Sequence, residues 1–293
     1  IAYEKPINSA FFLSADTTDE VQPMPRLKVL SWNVEKFKIA STDTARVVQH
    51  VKRYNPDVFA LLVVVRPGVY DHIASRFAGH NFHMTYGPQS QEILIGVRKN
   101  LTTFYSQKTG FKAGNAYLRP GVLGTIKSGN HDYNLLFLHT KSSSTPVGLG
   151  LRDDMFSRAF KLKKKLDEKE SGNARFVFCC DLNTMGMKYP YNKEIGFTTE
   201  LRKLKRDASK VQMRLLDKSH DATWTDSNRR ISDSNLDHVV ASTSMNITRW
   251  QFPSGSEGEV EVDGWNEFSK GTPQWRSFVS QVSDHCSLYF EIE

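Results

Sequence analysis

Arg175-Phe-Val-Phe-Cys-Cys-Asp-Leu-Asn183 decides the fold: five apolar or small residues run into Asp181, and one spacer separates Asp181 from Asn183. A short apolar run after a glycine-bearing turn at residues 171–173 is typical of a strand that is buried on both faces. An ionisable side chain at the end of such a strand costs free energy unless its charge is used there. Asp181 and Asn183 are therefore site candidates; the alternative is a turn in which both side chains hydrogen-bond their own backbone.

Four other apolar runs also place polar side chains at a strand end. Lys28-Val-Leu-Ser-Trp-Asn33 ends in an amide, and Asn134-Leu-Leu-Phe-Leu-His139 ends in an imidazole. Leu236-Asp-His-Val-Val-Ala-Ser242 carries Asp237 at its start, and Ser283-Asp-His-Cys-Ser-Leu-Tyr-Phe290 carries Asp284 and His285. If the strands lie side by side in packed sheets, these groups meet at one edge. Carboxylates, amides and imidazoles that converge in this way are the ingredients of a divalent-metal phosphoester site.

Read in order, these motifs resemble the endonuclease/exonuclease/phosphatase superfamily, which includes pancreatic deoxyribonuclease and the apurinic endonucleases. The resemblance rests on Ser-Trp-Asn33-Val-Glu, His139-Thr-Lys-Ser, Cys-Asp181-Leu-Asn183, Leu-Asp237-His-Val and Ser-Asp284-His285, and it spans residues 27–291. It implies an α/β fold, a four-layered sandwich of two packed, mixed and mostly antiparallel β-sheets flanked by helices. It also implies phosphoester hydrolysis that depends on a divalent metal.

Size and charge restrict the possible classes of protein. A chain of 293 residues with 39% hydrophobic and 24% charged residues is expected to be soluble and globular. Lys and Arg outnumber Asp and Glu by 39 to 32, which favours a polyanionic partner, nucleic acid first and an anionic lipid surface second. The alternative is a generic solubility charge. Three cysteines make no disulfide framework.

No signal peptide is visible in the chain given, and no stretch approaches the roughly 20 apolar residues that cross a bilayer. We therefore expect no stable membrane insertion. We also expect a monomer, and the sequence identifies neither a compartment nor a protein partner.

The chain is predicted to hold one domain behind a short arm. Residues 1–26 lack clear periodicity and are expected to be an N-terminal arm, and residues 27–293 are expected to form the catalytic domain. Within that domain, hydrophobic periodicity predicts helices over residues 43–55, 151–166 and 198–205. It predicts strands over residues 57–65, 92–97, 102–111, 117–126, 132–139 and 246–252. The strands before and after His139 are expected to form two similar halves.

Phosphodiester hydrolysis needs a positioned water, a proton acceptor and positive charge on the phosphoryl oxygens. Asp181 is a candidate to orient or deprotonate the water, and Asn183, on the same face of an extended chain, can donate to a phosphoryl oxygen. His139 and His285 can donate to phosphate when protonated. Asp237 is a candidate partner that fixes the tautomer of His285. The family resemblance implies the same catalytic roles for these five residues.

The metal-binding pattern departs from the superfamily at one position. The superfamily places a glutamate at the end of the second core strand, whereas Asp57-Val-Phe-Ala-Leu-Leu62 is followed here by Val63, which offers no oxygen to Mg²⁺. Three explanations are open: the glutamate was replaced deliberately, the protein is a natural non-catalytic relative, or another carboxylate substitutes. Glu35, in preference to Glu92, is the substitute that we expect. The predicted ligands of Mg²⁺, or of Mn²⁺ in its place, are Asn33, Glu35 and Asp284.

Four further residues are candidates for substrate binding. Arg119 follows a predicted strand, Lys141 lies beside His139, and Arg158 lies on the helix that comes next. For these cations the alternative is a surface salt bridge. Trp224 is a candidate wall of the pocket.

Two classes of function follow from this interpretation. The first is a divalent-metal-dependent phosphodiesterase, a nuclease that hydrolyses DNA or RNA, whose activity Val63 weakens or abolishes. The pair Arg229-Arg230 and the basic balance of the chain favour nucleic acid as its substrate. The alternatives are a non-catalytic nucleic-acid-binding or scaffold relative, and a phosphatase or phospholipid phosphodiesterase of the same superfamily.

Overall fold

A computed structural model describes residues 26–65, 68–87, 91–115, 118–128, 131–189, 194–228, 230–253 and 255–293. The arm predicted for residues 1–26 lies outside these ranges except for Arg26, and Arg229 lies outside them as well. Arg26 is exposed, and its guanidinium lies 3.5 Å from a carboxylate oxygen of Glu291.

The described residues form fourteen strands and five α-helices. The strands are β1 (Leu27–Phe37), β2 (Val58–Val64), β3 (His80–Met84), β4 (Glu92–Arg98), β5 (Thr102–Lys108), β6 (Gly121–Ser128), β7 (His131–Phe137), β8 (Arg175–Asp181), β9 (Met213–Leu215), β10 (Asp237–Ser242), β11 (Trp250–Gln251), β12 (Glu257–Gly258), β13 (Glu261–Asp263) and β14 (Ser287–Ile292). The helices are α1 (Thr44–Tyr54), α2 (Val69–Arg76), α3 (Pro146–Lys169), α4 (Phe197–Ser209) and α5 (Pro273–Gln281).

Twelve of these strands build two six-stranded sheets within the described ranges. The first sheet has the order β13-β14-β1-β2-β4-β3, and the second has the order β5-β6-β7-β8-β10-β9. β1 pairs in parallel with β2, and β7 with β8, while the other pairs in the two sheets are antiparallel. The predicted α/β sandwich of two mixed, mostly antiparallel sheets is therefore confirmed.

Two hydrophobic cores give the sandwich its layers. The larger one joins the inner faces of both sheets and extends beneath α1, α2 and α5, where Val51, Ile73 and Trp275 are buried. The smaller one packs α3 and α4 against the outer face of the second sheet, through Phe160 and Leu204. Because helices cover the outer faces, the central strands carry almost no polar side chains, and every residue of β2 is buried. No helix within the described ranges is both long enough and apolar enough to pass through a bilayer.

The two sheets do not divide at His139, so that prediction was wrong. β5, β6 and β7 come before His139 but belong to the second sheet, whereas β14, at the end of the chain, lies between β13 and β1 in the first sheet. Hydrophobic periodicity identifies strands, but it carries no information about which strands pair across a long sequence separation.

Several element boundaries also differ from prediction. α3 begins at Pro146 instead of residue 151, because the Thr145 hydroxyl caps the helix by accepting from Gly148 N at 3.1 Å. β5 ends at Lys108 and is followed by a 3₁₀ turn over Thr109–Lys112. The strand predicted for residues 246–252 is reduced to β11.

Candidate active site

Five polar side chains from five strands meet at one edge of the sandwich, four of them at or near a strand end and Asn33 within β1, directly before its register shift. β7 and β8 run in parallel, so His139, two residues beyond β7, lies near Asp181 at the end of β8. β10 runs antiparallel to β8 and pairs Asp237 with Asp181, which places the start of one strand beside the end of the other. Asn33 of β1 and His285, just before β14, approach from the first sheet. All five residues are at least 94% buried.

Asp237 and His285 form a hydrogen-bonded pair. The imidazole Nδ1 lies 2.9 Å from Asp237 Oδ2, so the ring donates to the carboxylate through Nδ1 and directs Nε2 towards Asp181. Burial by itself lowers the pKa of His285, but the negative charges of Asp237 and Asp181 outweigh burial and raise this pKa to about 10. His285 is therefore an imidazolium at neutral pH.

Asp181 lies at the centre of the cluster. Its Oδ2 accepts a hydrogen bond from Asn33 Nδ2 at 2.9 Å, and it lies 3.2 Å from His139 Nε2 and 3.9 Å from His285 Nε2. Burial and the nearby charge of Asp237 raise the pKa of Asp181 to about 7, although His285 and the Asn33 hydrogen bond act in the opposite direction. A carboxyl group with this pKa changes its protonation state near neutral pH, as a general base does.

His139 differs from the expectation that it donates to phosphate as a cation. Burial, followed by the positive charges of Arg119 and His285, lowers the pKa of His139 well below its usual value. The ring is therefore neutral, and its Nδ1 is a buried atom with no hydrogen-bond partner among the described residues. The structure places two histidines in the cluster but makes only His285 cationic.

Asn183 lies beside Asp181 in the left-handed region, with φ 49°. Its backbone N–H donates to Asp181 Oδ1 at 3.1 Å, and its Nδ2 donates to the carbonyl of Thr140 at 3.3 Å. The first is the local bond of the turn that the sequence offered as the alternative, whereas the second joins Asn183 to the loop after β7, 43 residues away along the chain. The turn and the cluster are present together, because Asp181 uses Oδ1 for the turn and Oδ2 for Asn33 and the histidines.

Asp181, Asp237 and His285 form a candidate metal-binding triad, since one ligand atom from each lies within 4.8 Å of the others. The hydrogen bonds within the triad argue for a different role. His285 donates through Nδ1 to Asp237, and as an imidazolium it has no free nitrogen lone pair to offer a metal ion.

Two of the three predicted ligands leave a side-chain oxygen available to a cation. Asp284 Oδ1 is buried without a hydrogen-bond partner among the described residues, while Oδ2 accepts from Trp224 Nε1 at 2.7 Å. Asn33 Oδ1 accepts one bond, from Glu35 N at 3.1 Å, and a carbonyl oxygen has a second lone pair. The side chain of Glu35 is exposed, unlike the buried cluster. An amide oxygen and one carboxylate suffice for Mg²⁺ when water and a phosphate complete its coordination.

Val63 lies at an irregular point of the first sheet. The register of β2 against β4 shifts between Leu62 and Val64, so Val63 is the extra residue of a bulge. Its φ is 63°, a left-handed conformation that is a strong outlier for a β-branched residue. Glu92, opposite Val64, is buried and bonded to Thr85 and to Gly87 N, so its carboxylate serves the neighbouring loop.

The substrate-binding candidates separate into three groups. Arg119 lies near the cluster, since its charge acts on Asp181 and His139, and its Nε is buried without a partner among the described residues. Trp224 contacts Asp284 through its indole nitrogen, and Lys141 lies two residues beyond His139. Arg158 pairs with Asp154 at 2.6 Å, about 18 Å along α3 from the start of the helix, which is the surface salt bridge that the sequence offered as its alternative.

Sequence reasoning missed residues that hold the cluster in place. Arg152 is fully buried and pairs with Glu200, and it also donates to the carbonyls of Lys141, Ser143 and Gly186 in the loops that follow β7 and β8. Thr223 Oγ1 accepts from the backbone N–H groups of Leu236 and Asp237. The sequence signal was weak, because one arginine in a basic helix and one threonine in a polar loop look like surface residues.

Solved structures with the same arrangement of sheets were found by structural comparison. A D. rerio TDP2 complexed with single strand DNA product is 15% identical, with a TM-score of 0.63, over 92% of this chain and 99% of that one. An endonuclease/exonuclease/phosphatase from Beutenbergia cavernae is 15% identical, with a TM-score of 0.58, over 92% and 71%. A Bacteroides thetaiotaomicron mannosyl-6-phosphatase is 17% identical, with a TM-score of 0.51, over 91% and 99%.

These similarities define the fold. The chain has the fold of the endonuclease/exonuclease/phosphatase superfamily, as its strand-end motifs predicted. No protein-family model matches the sequence, and no curated protein matches it.

Proposed function

We propose that this protein is a divalent-metal-dependent phosphodiesterase that cleaves nucleic acid, and that residues 27–293 form its catalytic domain. The observation that carries the proposal is the buried meeting of Asp181 with the Asp237–His285 pair, since Asp181 Oδ2 lies 3.9 Å from the imidazolium Nε2. A carboxyl group that titrates near pH 7 and a histidine beside it that is cationic at neutral pH are a base and an electrostatic stabiliser of the kind that phosphoryl transfer needs.

Each residue of the cluster then has a separate task. Asp181 in its ionised form accepts a proton from the attacking water, and its bonds from Asn33 Nδ2 and Asn183 N fix its orientation. His285 supplies positive charge, and a proton on Nε2, to the phosphoryl oxygens. Asp237 keeps that ring protonated and oriented. Neutral His139 contributes one ring N–H as a hydrogen-bond donor.

The proposal places a metal ion beside this group of residues. Asn33 Oδ1 and Asp284 Oδ1 would hold Mg²⁺, or Mn²⁺ in its place, and Trp224 orients Asp284 through its 2.7 Å hydrogen bond. When bound, the ion neutralises negative charge on the phosphoryl group.

Charge and similarity support nucleic acid as the substrate. The net charge of +7 favours a polyanion, and Arg119 places a guanidinium near the phosphate-facing cluster. The D. rerio TDP2 structure holds a single strand DNA product, and the similarity covers 99% of the chain in that structure.

Plasmid nicking with Mg²⁺ or Mn²⁺ tests the proposal. The unmodified chain and Val63→Glu are compared with Asp181→Asn and His285→Ala, each in the presence and absence of a chelator. We expect metal-dependent nicking that is stronger in Val63→Glu and abolished by Asp181→Asn or His285→Ala. Full turnover in Asp181→Asn would contradict the assigned roles.

A second candidate function is binding without hydrolysis. It is favoured by Val63, which offers no oxygen where the superfamily pattern has a glutamate. Nucleic-acid binding without nicking by either the unmodified chain or Val63→Glu would support this candidate. Because the mannosyl-6-phosphatase has the same fold, sugar phosphate monoesters are a further class of substrate to assay.

A further inference from the structure

The Asp237–His285 pair joins two different sheets. Asp237 is the first residue of β10 in the second sheet, whereas His285 lies two residues before β14 in the first sheet. The 2.9 Å distance between Oδ2 and Nδ1 therefore depends on how the two sheets are held at this edge. A hydrogen bond that spans two packed layers needs fixed neighbours on both sides, because a shift of about 1 Å costs roughly 10²-fold in rate.

Lys218 makes contacts with both of these layers. Its ammonium donates to the carbonyl of Asp237 at 2.8 Å and to Asn235 Oδ1 at 2.6 Å, both at the start of β10. Its backbone lies on the other side, in a parallel bridge with Val260, directly before β13 of the first sheet. The next residue continues this attachment, since Ser219 N donates to the carbonyl of Val260 at 2.9 Å.

The ammonium of Lys218 hydrogen-bonds two carbonyl oxygens and one amide oxygen, and it does not neutralise a carboxylate among the described residues. Its third bond goes to the carbonyl of Asp221 at 3.2 Å, so its three acceptors within the described ranges are carbonyl or amide oxygens. Burial lowers the pKa of Lys218 to about 8, while Asp237 and Asp221 oppose this effect. The other ionisable groups around it are Cys286, which it influences, and His238, whose pKa burial and Lys218 hold well below the usual value.

The other hydrogen bond to the backbone of Asp237 comes from the opposite side. Thr223 Oγ1 accepts from Asp237 N at 2.9 Å, and the carbonyl of Thr223 accepts from Cys286 N, next to His285, at 2.8 Å. Asp237 is thus held at its N–H by Thr223 and at its carbonyl by Lys218. Both contacts come from the segment between β9 and β10, which lies between the two sheets.

From this arrangement we propose that Lys218 is a positioning residue of the active site: its three hydrogen bonds fix the start of β10 against the first sheet, and thereby set the Asp237–His285 hydrogen bond. The inference rests on the proposed function for its kinetic consequence, but the geometry it describes exists whether or not the chain turns over. Lys218 itself touches neither substrate nor the reacting atoms.

The test compares two lysines whose ammonium groups are engaged by the protein. Lys218, which is half-buried, loses the proposed contacts in Lys218→Met, and Lys163→Met is the control, because Lys163 is buried and pairs with Asp167 on α3, away from the cluster. Lys218→Arg and Lys218→Gln keep hydrogen-bond donors, with and without charge. The direct readout is the NMR signal of the His285 Nδ1 proton, which resonates far downfield when it is bonded to a buried carboxylate. The kinetic readout is kcat and KM for nicking of a labelled oligonucleotide.

We expect Lys218→Met to lose the downfield signal and to lower kcat at least about tenfold, with KM changed less than about twofold. Lys163→Met should lower the melting temperature but keep both the signal and kcat, and Lys218→Arg should restore the signal. If Lys218→Met fails to fold, Lys218→Leu, which also lacks a hydrogen-bond donor, takes its place. A downfield signal and kcat in Lys218→Met, or in that substitute, equal to those of Lys163→Met would overturn the proposal. If the unmodified chain hydrolyses nothing, the proposed function fails and the NMR signal alone decides the role of Lys218.

Discussion

Replacing Asp237 by asparagine tests whether His285 is held as a cation by its hydrogen-bonded partner. Asp237→Asn keeps the shape of the side chain and removes the negative charge 2.9 Å from His285 Nδ1. In the unmodified protein the pKa of His285 rises from 6.5 to about 10, which at about 1.4 kcal/mol per pKa unit favours the imidazolium by about 5 kcal/mol. Burial acts against the cation, so the two aspartates together contribute more than this net amount.

The expected result follows because Asp237 is the largest of the negative charges that raise the pKa of His285. If the pKa of His285 falls to its ordinary value of about 6.5, only about a tenth of the rings are protonated at pH 7.5, against nearly all of them in the unmodified protein. Loss of orientation adds to loss of charge, and we expect kcat at pH 7.5 to fall by about 10² or more. The remaining activity should decrease as pH rises above about 6.5, whereas cationic His285 in the unmodified protein persists towards pH 10.

Two measurements check this expectation. Nitrogen-15 NMR of the histidine ring at pH 7.5 reports its protonation without any need for turnover, and kcat is measured from pH 5.5 to 9.5 at saturating substrate. Asp154→Asn, which breaks a half-exposed pair with Arg158 on α3, is the matched control. An imidazolium that persists in Asp237→Asn at pH 7.5 would refute the reasoning. Recovery of kcat in excess Mg²⁺ would indicate instead that Asp181, Asp237 and His285 hold a metal ion.

Three further predictions concern the surroundings of this pair. The pKa of Asp181 in the folded protein is raised to about 7, so its contribution to stability is present at low pH and is lost as pH rises through about 7. In urea unfolding, Asp181→Asn should therefore be more stable than the unmodified protein at pH 8, by up to about 4 kcal/mol, but not at pH 4. Arg152→Met should cost about 3–5 kcal/mol in the same assay, because it leaves Glu200 buried and unpaired, whereas Arg158→Met should change stability by less than about 0.5 kcal/mol. Trp224→Phe removes the donor that orients Asp284, and it should raise the Mg²⁺ concentration for half-maximal nicking about tenfold; an unchanged Mg²⁺ requirement would place the ion elsewhere.

The positions of the polar strand ends could be predicted from the sequence, because burial leaves a local trace. Apolar runs that stop at His139 or Asp181 mark where a covered strand reaches the edge of its sheet, whereas the run that stops at Asn33 ends inside β1, which continues to Phe37. The α/β sandwich followed from those runs and from the family resemblance, and the structure confirms it. The catalytic and metal-binding roles stay predictions, since the structure gives the placement of these residues and not their chemistry.

The ionisation of the two histidines could not be predicted, because both look alike along the chain. His139 and His285 each lie beside a buried strand, yet Arg119 approaches the first and Asp237 the second. These neighbours are 20 and 48 residues away in sequence, and only the packing of the two sheets brings them near. The start of α3 was missed for a local reason: Gly148 suggests a loop, but a Cβ there would collide with the carbonyl of Ser143, so the helix needs glycine at that point.

At position 63 the backbone conformation and the identity of the side chain have separate explanations. A β-branched residue at φ 63° strains the chain by roughly 1–2 kcal/mol, and asparagine or glycine would adopt this conformation more easily. The bulge nevertheless persists, since β1 and β4 both shift register beside it and hold β2 in that shape from either side. The neighbouring strands therefore determine the backbone conformation at position 63, and the valine side chain does not. Because Val63 is 4% exposed and belongs to the larger core, the carboxylate of Val63→Glu needs a cation or a hydrogen-bond donor beside it, and Val63→Glu therefore separates a disabled hydrolytic site from a surface that only binds.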